Sequence, residues 1–160
     1  MMNRKFVCLF ALVAVVAVAG NAFALTGFSY SRGVYFTGYS GATALADFPV
    51  AVLLTAADID YGQFQANGQD LRFTAADGST LLDYEIEAWV SGGTSVVWVK
   101  VPSITGTTDY ILLHGGNAGA ADGQNAPGVW SNGYELVWHL NGKVAGVHPD
   151  STGNGWDGID

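Results

Sequence analysis

The chain has 160 residues, of which 6 are Lys or Arg and 14 are Asp or Glu, so its formal net charge is −8. Hydrophobic residues make up 49% of the chain and charged residues 12%, which excludes a disordered protein because this much apolar surface can build a core. After residue 5 there is no cluster of Lys and Arg. Because phosphate binding needs such clusters, nucleic acid is excluded as a partner.

The first 24 residues have the pattern of a secretory signal peptide. A basic pair at residues 4 and 5 precedes an apolar run over residues 6–20, which is short for a membrane span, and the small-x-small sequence Ala-Phe-Ala ends at Ala24. We expect cleavage after Ala24, the alternative being an uncleaved membrane anchor. The mature chain then has no membrane span and is secreted, periplasmic or on the bacterial cell surface.

Cleavage also changes the chemistry of the chain. The basic pair leaves with the leader, so four basic residues face 14 acidic ones and the formal charge becomes −10. Cys8, which is the one cysteine, leaves as well. The mature chain therefore has no disulfide and no thiolate metal site.

Short apolar or alternating segments, separated by turn signals, recur through the rest of the chain. Seven Asn-Gly or Asp-Gly pairs lie among them, and such pairs tolerate the positive φ angles of tight turns. Residues 56–65 have room for a single helical turn. The pattern predicts an all-β fold, an antiparallel β-sandwich that is jelly-roll-like. The predicted strands are 32–37, 49–54, 70–74, 81–89, 95–101, 109–114 and 134–140.

Two of these predictions are more detailed. Residues 70–74 and 81–89 flank the Asp77-Gly78 pair, which predicts a hairpin. Val97, Val99 and Val101 alternate with polar or larger residues and are expected to face the core, and Pro102 is expected to end this strand because it has no N–H to donate.

The composition divides the mature chain in two. Residues 118–128 are rich in Ala, Gly, Asp and Asn, which is typical of a linker, and the β pattern restarts after them. About thirty residues cannot bury a sandwich core alone. We therefore expect a first module over residues 25–128 and, over residues 129–160, the incomplete start of a second β-sandwich whose other strands lie beyond Asp160.

Five ordered motifs in the first module resemble a known bacterial family. They are Phe48-Pro49-Val50, the sequence GQDLRF at 68–73, Asp77-Gly78, YEIE at 84–87 followed by Trp89, and VWVKVP at 97–102. Over about residues 29–130 the chain resembles the exported bacterial domain-of-unknown-function family 2341. That resemblance implies a surface or periplasmic binding architecture, in some proteins beside proton-channel transport components, and brings no assigned activity.

A second, shorter resemblance covers the end of the chain. Residues 137–140 together with 150–155 are similar to the start of the concanavalin A-like, laminin-G-like jelly roll that often follows this module. The resemblance implies that residues 129–160 begin such a domain.

Three carboxylates alternate along one predicted strand. Asp83, Glu85 and Glu87 share one face by the period of two, in a pattern that resembles the acidic strand of retaining β-glucanases in the concanavalin A-like class. Adjacent members lie roughly 6.6–6.8 Å apart along a strand, whereas retaining hydrolysis uses carboxyl groups about 5–5.5 Å apart and inverting hydrolysis about 6.5–9.5 Å apart, so the spacing permits a catalytic pair without identifying one. Glu85 and Glu87 are thus the alternative catalytic pair, whereas the other interpretation is a solvated face paired with Arg72 and Lys100.

A turn near the C-terminus is a candidate calcium site. Asp150, Thr152, Asn154 and Gly155 occupy the first, third, fifth and sixth positions of a calcium loop, and Asp157 follows closely. An acidic turn that needs no ion explains the same residues. Asp150, Asn154 and Asp157 are therefore the candidate ligands of a calcium ion, and no other cofactor is predicted. The three histidines lack ligand spacing, so neither a zinc site nor a catalytic triad is expected.

Trp89 and Trp98 are candidates for ligand binding. An outward tryptophan on a sandwich stacks on the apolar face of a sugar, while the alternative is that both rings fill space between sheets or modules. Together these features predict a non-catalytic recognition or adhesion module that binds a glycan or a cell-envelope protein. The alternatives are a glycoside hydrolase using Glu85 and Glu87, and a structural component of an envelope transport assembly.

Overall fold

A computed structural model of the protein describes residues 25–142 and 144–159. The predicted signal peptide lies outside the described residues. Eight strands and two short helical turns follow in chain order: β1 (Tyr30–Tyr35), β2 (Leu45–Leu54), a 3-10 helix (Tyr61–Gln63), β3 (Arg72–Thr74), β4 (Tyr84–Ala88), β5 (Ser95–Ile104), β6 (Tyr110–Gly115), α1 (Ala126–Val129), β7 (Val147–His148) and β8 (Gly158–Ile159). The 3-10 helix is the single turn that residues 56–65 were expected to hold. In the described part of the chain no helix is both long enough and apolar enough to cross a membrane.

Two three-stranded antiparallel sheets face each other. Their strand orders are β1-β6-β3 and β2-β5-β4, and β7 pairs with β8 in a separate ladder. The core between the two main sheets is formed by apolar residues from Val34 to Leu113. This arrangement confirms the predicted all-β antiparallel sandwich, because two sheets with one apolar face each bury those faces against one another.

The central strand β5 follows the predicted alternation but runs further than expected. Val97, Val99 and Val101 are at most 2% exposed and lie in the core, which confirms their orientation. The prediction that Pro102 ends the strand is wrong, since β5 continues to Ile104 opposite β2. β4 pairs with the first half of β5 alone, so at Pro102 the strand has one free side, where a residue without an N–H is tolerated.

The predicted hairpin around Asp77-Gly78 is wrong beyond its turn. One isolated bridge joins Thr74 to Leu81, but β3 then pairs with β6 in one sheet and β4 with β5 in the other. The turn itself forms as expected: Gly78 has a φ of 73°. Both flanking strands alternate apolar and polar residues. This alternation buries one face of each strand, whether the two strands pair with each other or lie in opposite sheets.

Residues 134–140 contain no strand, so the strand predicted there is also wrong. The Val137 N–H donates to the Asp150 carboxylate at 3.1 Å, and the Ser151 N–H donates to the Val137 carbonyl at 3.0 Å. A loop from later in the chain thus satisfies backbone groups that a sheet neighbour would otherwise pair. The predicted start of a second sandwich over 129–160 stays a prediction, since the strands described there are the two-residue β7 and β8.

The predicted linker, residues 118–128, packs along the edge of β4. The Asn125 N–H donates to the Tyr84 carbonyl at 2.9 Å, and the Ile86 N–H donates to Gln124 Oε1 at 2.6 Å. An uncovered strand edge leaves a row of unpaired N–H and C=O groups. The segment therefore serves as a cover for that edge, which its Ala- and Gly-rich composition did not indicate.

Candidate functional site

The outer face of the β4-β5 pair carries the acidic residues. Glu85 lies opposite Trp98 in the strand register, and a register shift between Ile86 and Ala88 leaves Glu87 in a β-bulge. Bulges re-aim side chains next to functional sites. Both glutamates point away from the core, on the side opposite Tyr84, and both lie beside the segment that follows α1.

One imidazole from that segment lies between the two carboxylates. His139 Nε2 is 3.0 Å from Glu85 Oε2, and His139 Nδ1 is 3.3 Å from Glu87 Oε2. A histidine donates from both ring nitrogens only in its protonated form. The three side chains are 12–20% exposed. We call Glu85, His139 and Glu87 the acid clasp, because the imidazole from the segment after α1 bridges the two carboxylates of β4.

Further donors from the chain itself engage the same carboxylates. Trp130 Nε1 donates to Glu85 Oε2 and the Ser151 hydroxyl donates to Glu85 Oε1, each at 2.6 Å. Trp98 Nε1 donates to Glu87 Oε2, also at 2.6 Å. Both oxygens of Glu85 and one of Glu87 therefore already accept hydrogen bonds within the protein.

These contacts shift the pKa values of Glu85 and His139 in opposite directions. Burial raises the pKa of the Glu85 carboxyl, but the hydrogen bonds from His139, Ser151 and Trp130 outweigh burial and lower that pKa below its usual value of 4.5. Burial likewise lowers the pKa of His139, but the hydrogen bond to Glu85 and the charges of Glu85 and Glu87 raise it above 6.5. The surroundings thus favour the charged form of each partner.

Aromatic rings pack against His139 of the clasp and against one another. The Trp98 and Trp130 ring centroids are 5.1 Å apart, and His139 stacks over Trp98 with a centroid distance of 6.0 Å. Tyr134 meets Trp130 edge-on at 5.2 Å. Trp98, which the sequence predicted as a sugar-stacking residue, thus lies against Trp130 and His139.

Trp89, the other predicted stacking residue, packs toward the core. Its ring meets Tyr61 edge-on at 5.2 Å and Phe64 at 5.5 Å. Gly68 lies directly beneath the ring, since a Cβ there would come within 2.9 Å of it.

Asp83, the third acidic residue of the strand, lies outside the clasp. Its carboxylate is 3.2 Å from Lys100 Nζ, the pairing that the sequence suggested. Lys100 also donates to the Gly128 carbonyl at 2.7 Å and to the Ser131 hydroxyl at 3.0 Å. The ion pair thus fixes the start of the segment that carries Trp130 and His139.

A small cavity of about 120 Å³ adjoins the clasp and is lined by Glu85, Glu87, His139, His148 and Ser151 among others. Ligand sites for small molecules usually measure about 300–1,000 Å³. The Ser151 hydroxyl donates to Glu85 and not to His139, so the imidazole is not placed to activate it as a nucleophile.

The predicted calcium turn is held by hydrogen bonds of its own. The Asp150 carboxylate accepts three backbone N–H groups at 3.0–3.2 Å and the Thr152 hydroxyl at 2.8 Å. The Asp157 carboxylate accepts the Asp150 N–H, and the Asn154 side-chain amide donates to two carbonyl oxygens. In the described part of the chain, no group of three or more His, Cys, Asp or Glu side chains is spaced to hold a metal ion. N–H donors thus occupy some of the acceptor positions of these carboxylates, and calcium binding at this turn stays a prediction.

A second and larger cleft lies at one end of the sandwich, away from the clasp. It measures about 440 Å³ and is lined by Arg32, residues 56–62, Ser91 and Gly92. Sequence reasoning missed this cleft, and it also missed His139, Trp130 and Ser151 as partners of the acidic strand. Glu85 and His139 are 54 residues apart, and no local pattern links positions at that distance.

The comparisons with known proteins give one match. Residues 67–140 match the sequence model of a family described as a domain of unknown function (DUF2341). This span agrees with the resemblance inferred for the first module. It contains β3 to β6 and all three residues of the acid clasp, and it extends past residue 128. No curated protein and no solved structure matches the chain, and the resemblance of the last thirty residues to a jelly roll stays a prediction.

Proposed function

We propose that the protein is a non-catalytic recognition module of the bacterial periplasm or cell surface, which binds a glycan or a cell-envelope protein. One observation carries the proposal: the carboxylates that resemble a hydrolase pair are engaged by the chain's own donors. Glu85 accepts hydrogen bonds from His139, Trp130 and Ser151. A general acid or a nucleophile must approach the substrate within hydrogen-bond distance, and side chains 13% and 20% exposed offer little such access.

The surface of the C-terminal segment supports a role in recognition. Trp156 is 63% exposed and Trp138 is 40% exposed, and Trp138 Nε1 donates to the Trp156 carbonyl at 2.8 Å. Exposed aromatic rings with polar neighbours are typical of recognition surfaces. Both residues are more exposed than the predicted Trp89 and Trp98, which are half-buried.

A glycan array combined with a hydrolysis assay tests the proposal. The chain from residue 25 is compared with Glu85→Gln, Glu87→Gln and the matched control Glu135→Gln, which changes an exposed acid of the same type. We expect the wild type to bind a glycan without turnover. We expect the two clasp variants to bind it as well, because the carboxylates are not the ligand site.

One outcome contradicts this proposal. Turnover by the wild type that is lost in Glu85→Gln or Glu87→Gln, with circular dichroism unchanged and Glu135→Gln active, indicates a glycoside hydrolase. Silence on the array excludes the glycan as ligand, and co-purification of a membrane partner then leaves a cell-envelope protein as ligand or a structural role in an envelope transport assembly.

A further inference from the structure

We infer that Asn141 is a site of spontaneous deamidation, and that its conversion to aspartate or isoaspartate opens the acid clasp. The inference does not depend on which ligand the module binds. Four Asn-Gly pairs occur in the chain, with their asparagines at residues 67, 132, 141 and 154. The glycine nitrogen can attack the preceding side chain because glycine has no side chain to hinder the approach. The surroundings of each pair therefore decide where the reaction takes place.

The pair Asn141-Gly142 is open to this reaction. Both residues are exposed, and a Cβ added at Gly142 would meet nothing within 4 Å, so the chain has room to rotate there. Among the described residues, the Gly142 N–H and Asn141 Oδ1 have no hydrogen-bond partner. The Asn141 side chain makes one hydrogen bond, from Nδ2 to the Glu87 carbonyl at 2.9 Å. This bond engages the nitrogen that leaves and not the carbon that is attacked.

The pair Asn67-Gly68 is the contrasting case. The Gly68 N–H donates to the Gln65 carbonyl at 2.9 Å. Gly68 is also buried beneath the Trp89 ring, which an added Cβ would approach within 2.9 Å. A nitrogen that is bonded and packed in this way reaches the Asn67 side chain only through local unfolding. The fold therefore protects this pair.

The reaction needs only water and involves no oxidation or reduction. The Gly142 nitrogen gives its proton to solvent and forms a bond to Asn141 Cγ, the Cγ–Nδ2 bond breaks, and Nδ2 takes up a proton and leaves as ammonia. Water then opens the resulting succinimide ring at one of its two C–N bonds. One opening gives aspartate at position 141. The other gives isoaspartate, in which the main chain runs through the β-carboxyl group and gains one methylene.

Either product weakens the clasp. A carboxylate at position 141 only accepts hydrogen bonds, so it loses the bond to the Glu87 carbonyl and faces that acceptor with a negative charge. Asn141 lines the same small cavity as the carboxylates and the imidazole of the clasp. The new charge therefore joins two carboxylates that share one imidazole. In isoaspartate, the extra methylene also shifts the main chain close to His139.

The backbone around Asn141 is strained and depends on such contacts. Leu140 and Ala145 have φ angles of 56° and 54°, in the left-handed region that residues other than glycine seldom adopt. Residues persist in such conformations where the surrounding contacts fix them. Loss of the hydrogen bond to the Glu87 carbonyl therefore lets this segment relax away from β4.

Peptide mapping by mass spectrometry tests the site. The protein is held at physiological pH and temperature, and conversion of each Asn-Gly pair is followed over time, with aspartate and isoaspartate distinguished by electron-transfer fragmentation. We expect Asn141 to convert in the folded protein while Asn67 stays intact. In urea both should convert at similar rates, because both then precede a glycine in an unfolded chain. Gly142→Ala should slow conversion at position 141, since the added methyl group hinders the attack, and should leave Asn132 unaffected.

Hydrogen exchange of the Trp130 indole N–H, which donates to Glu85 at 2.6 Å, tests the effect on the clasp. Asn141→Asp should speed this exchange up to about tenfold, the effect of one lost hydrogen bond. The matched control Asn67→Asp adds the same charge at an exposed residue outside the clasp and should leave the exchange unchanged. Aged wild-type protein should show the same acceleration as Asn141→Asp. Aged Asn141→Gln should not, because it keeps an amide that cyclises much more slowly.

Three results would overturn the inference. If Asn141 stays intact in the folded protein, or converts no faster than Asn67, position 141 is not the site. If aged wild type and Asn141→Asp both keep the Trp130 indole fully protected, deamidation does not open the clasp. If aged Asn141→Gln loses protection as fast as aged wild type, the opening has a cause other than position 141.

Discussion

Replacing His139 with glutamine should favour a local release of the segment that follows α1, without unfolding the sandwich. The imidazole bridges Glu85 and Glu87, with one ring nitrogen on each carboxylate. The hydrophobic core is built from residues between Val34 and Leu113, which lie before the released segment. The substitution therefore acts on a local opening and leaves the global transition nearly unchanged.

The size of the effect follows from the two contacts. Hydrogen bonds to charged groups contribute about 1.5–3 kcal/mol, and the 12–20% exposure of these side chains screens part of that energy. Glutamine retains one donor group, so one of the two contacts can survive. We expect a loss of about 2–3 kcal/mol for the docked state, since complete removal of one partner of a buried pair costs about 3–5 kcal/mol. At about 1.4 kcal/mol per factor of ten, the open population rises roughly 30- to 150-fold.

Hydrogen exchange of individual N–H groups measures this opening. The Trp130 indole N–H, which donates to Glu85 at 2.6 Å, reports on the docked segment, and the Val99 amide in β5 reports on the core. In His139→Gln the indole should exchange faster by the stated factor while Val99 stays protected. The control is His148→Gln, which removes an imidazole that lines the same small cavity but whose Nδ1 has no hydrogen-bond partner among the described residues.

Two results would refute this reasoning. If the Trp130 indole is as protected in His139→Gln as in the wild type, the clasp does not hold the segment. If Val99 loses protection to the same extent as the indole, the segment and the core unfold together and the opening is not local.

The same clasp should have a pH optimum with two limbs. Because the pKa of His139 is raised, its contribution is complete below the usual value of 6.5 and is lost as pH rises through the raised pKa. Because the pKa of Glu85 is lowered, its contribution is present above 4.5 and is lost as pH falls through the lowered pKa. Protection of the Trp130 indole should therefore peak between about pH 4.5 and 6.5. His139→Gln should remove the alkaline limb and keep the acid limb.

Two further predictions concern the stability of the sandwich itself, measured by denaturant unfolding. Tyr84→Phe removes a buried hydroxyl that donates to the Leu71 carbonyl at 2.6 Å, and it should lower the free energy of unfolding by about 1–2 kcal/mol. The control Tyr110→Phe, at a residue that is 36% exposed, should leave that free energy almost unchanged. Burial raises the pKa of Tyr84 from 10.0 to about 12. The neutral phenol therefore contributes fully to stability below pH 10, and this contribution is lost as the pH rises through about 12. An ultraviolet titration that shows no shift for Tyr84 would contradict this. Gly68→Ala should lower the free energy of unfolding by about 1–3 kcal/mol more than Gly92→Ala does. Both glycines have a positive φ, 71° and 79°. The added Cβ would come within 2.9 Å of the Trp89 ring at Gly68, whereas at Gly92 it would meet nothing within 4 Å. Equal costs would show that the contact with the ring is relieved by movement.

The pattern of apolar residues was enough to predict the fold class and most of the strands. The alternation of Val97, Val99 and Val101 gave the core face of β5 correctly, because the period of two is a property of the strand alone. The same period placed Glu85 and Glu87 together on the outer face. The turn at Asp77-Gly78 was also predictable, since positive φ is a property of a short local sequence.

Which strands pair, and which residues meet across the fold, came only from the tertiary structure. β3 and β4 carry the alternation of a hairpin but join opposite sheets, and residues 134–140 carry a strand pattern but pair with no strand. Likewise, His139 reaches Glu85 across 54 residues of sequence. Such contacts depend on how buried faces and unpaired backbone groups are satisfied over the whole molecule. The chain alone thus determined the β-sandwich and the acidic face, and packing decided that this face holds the C-terminal segment.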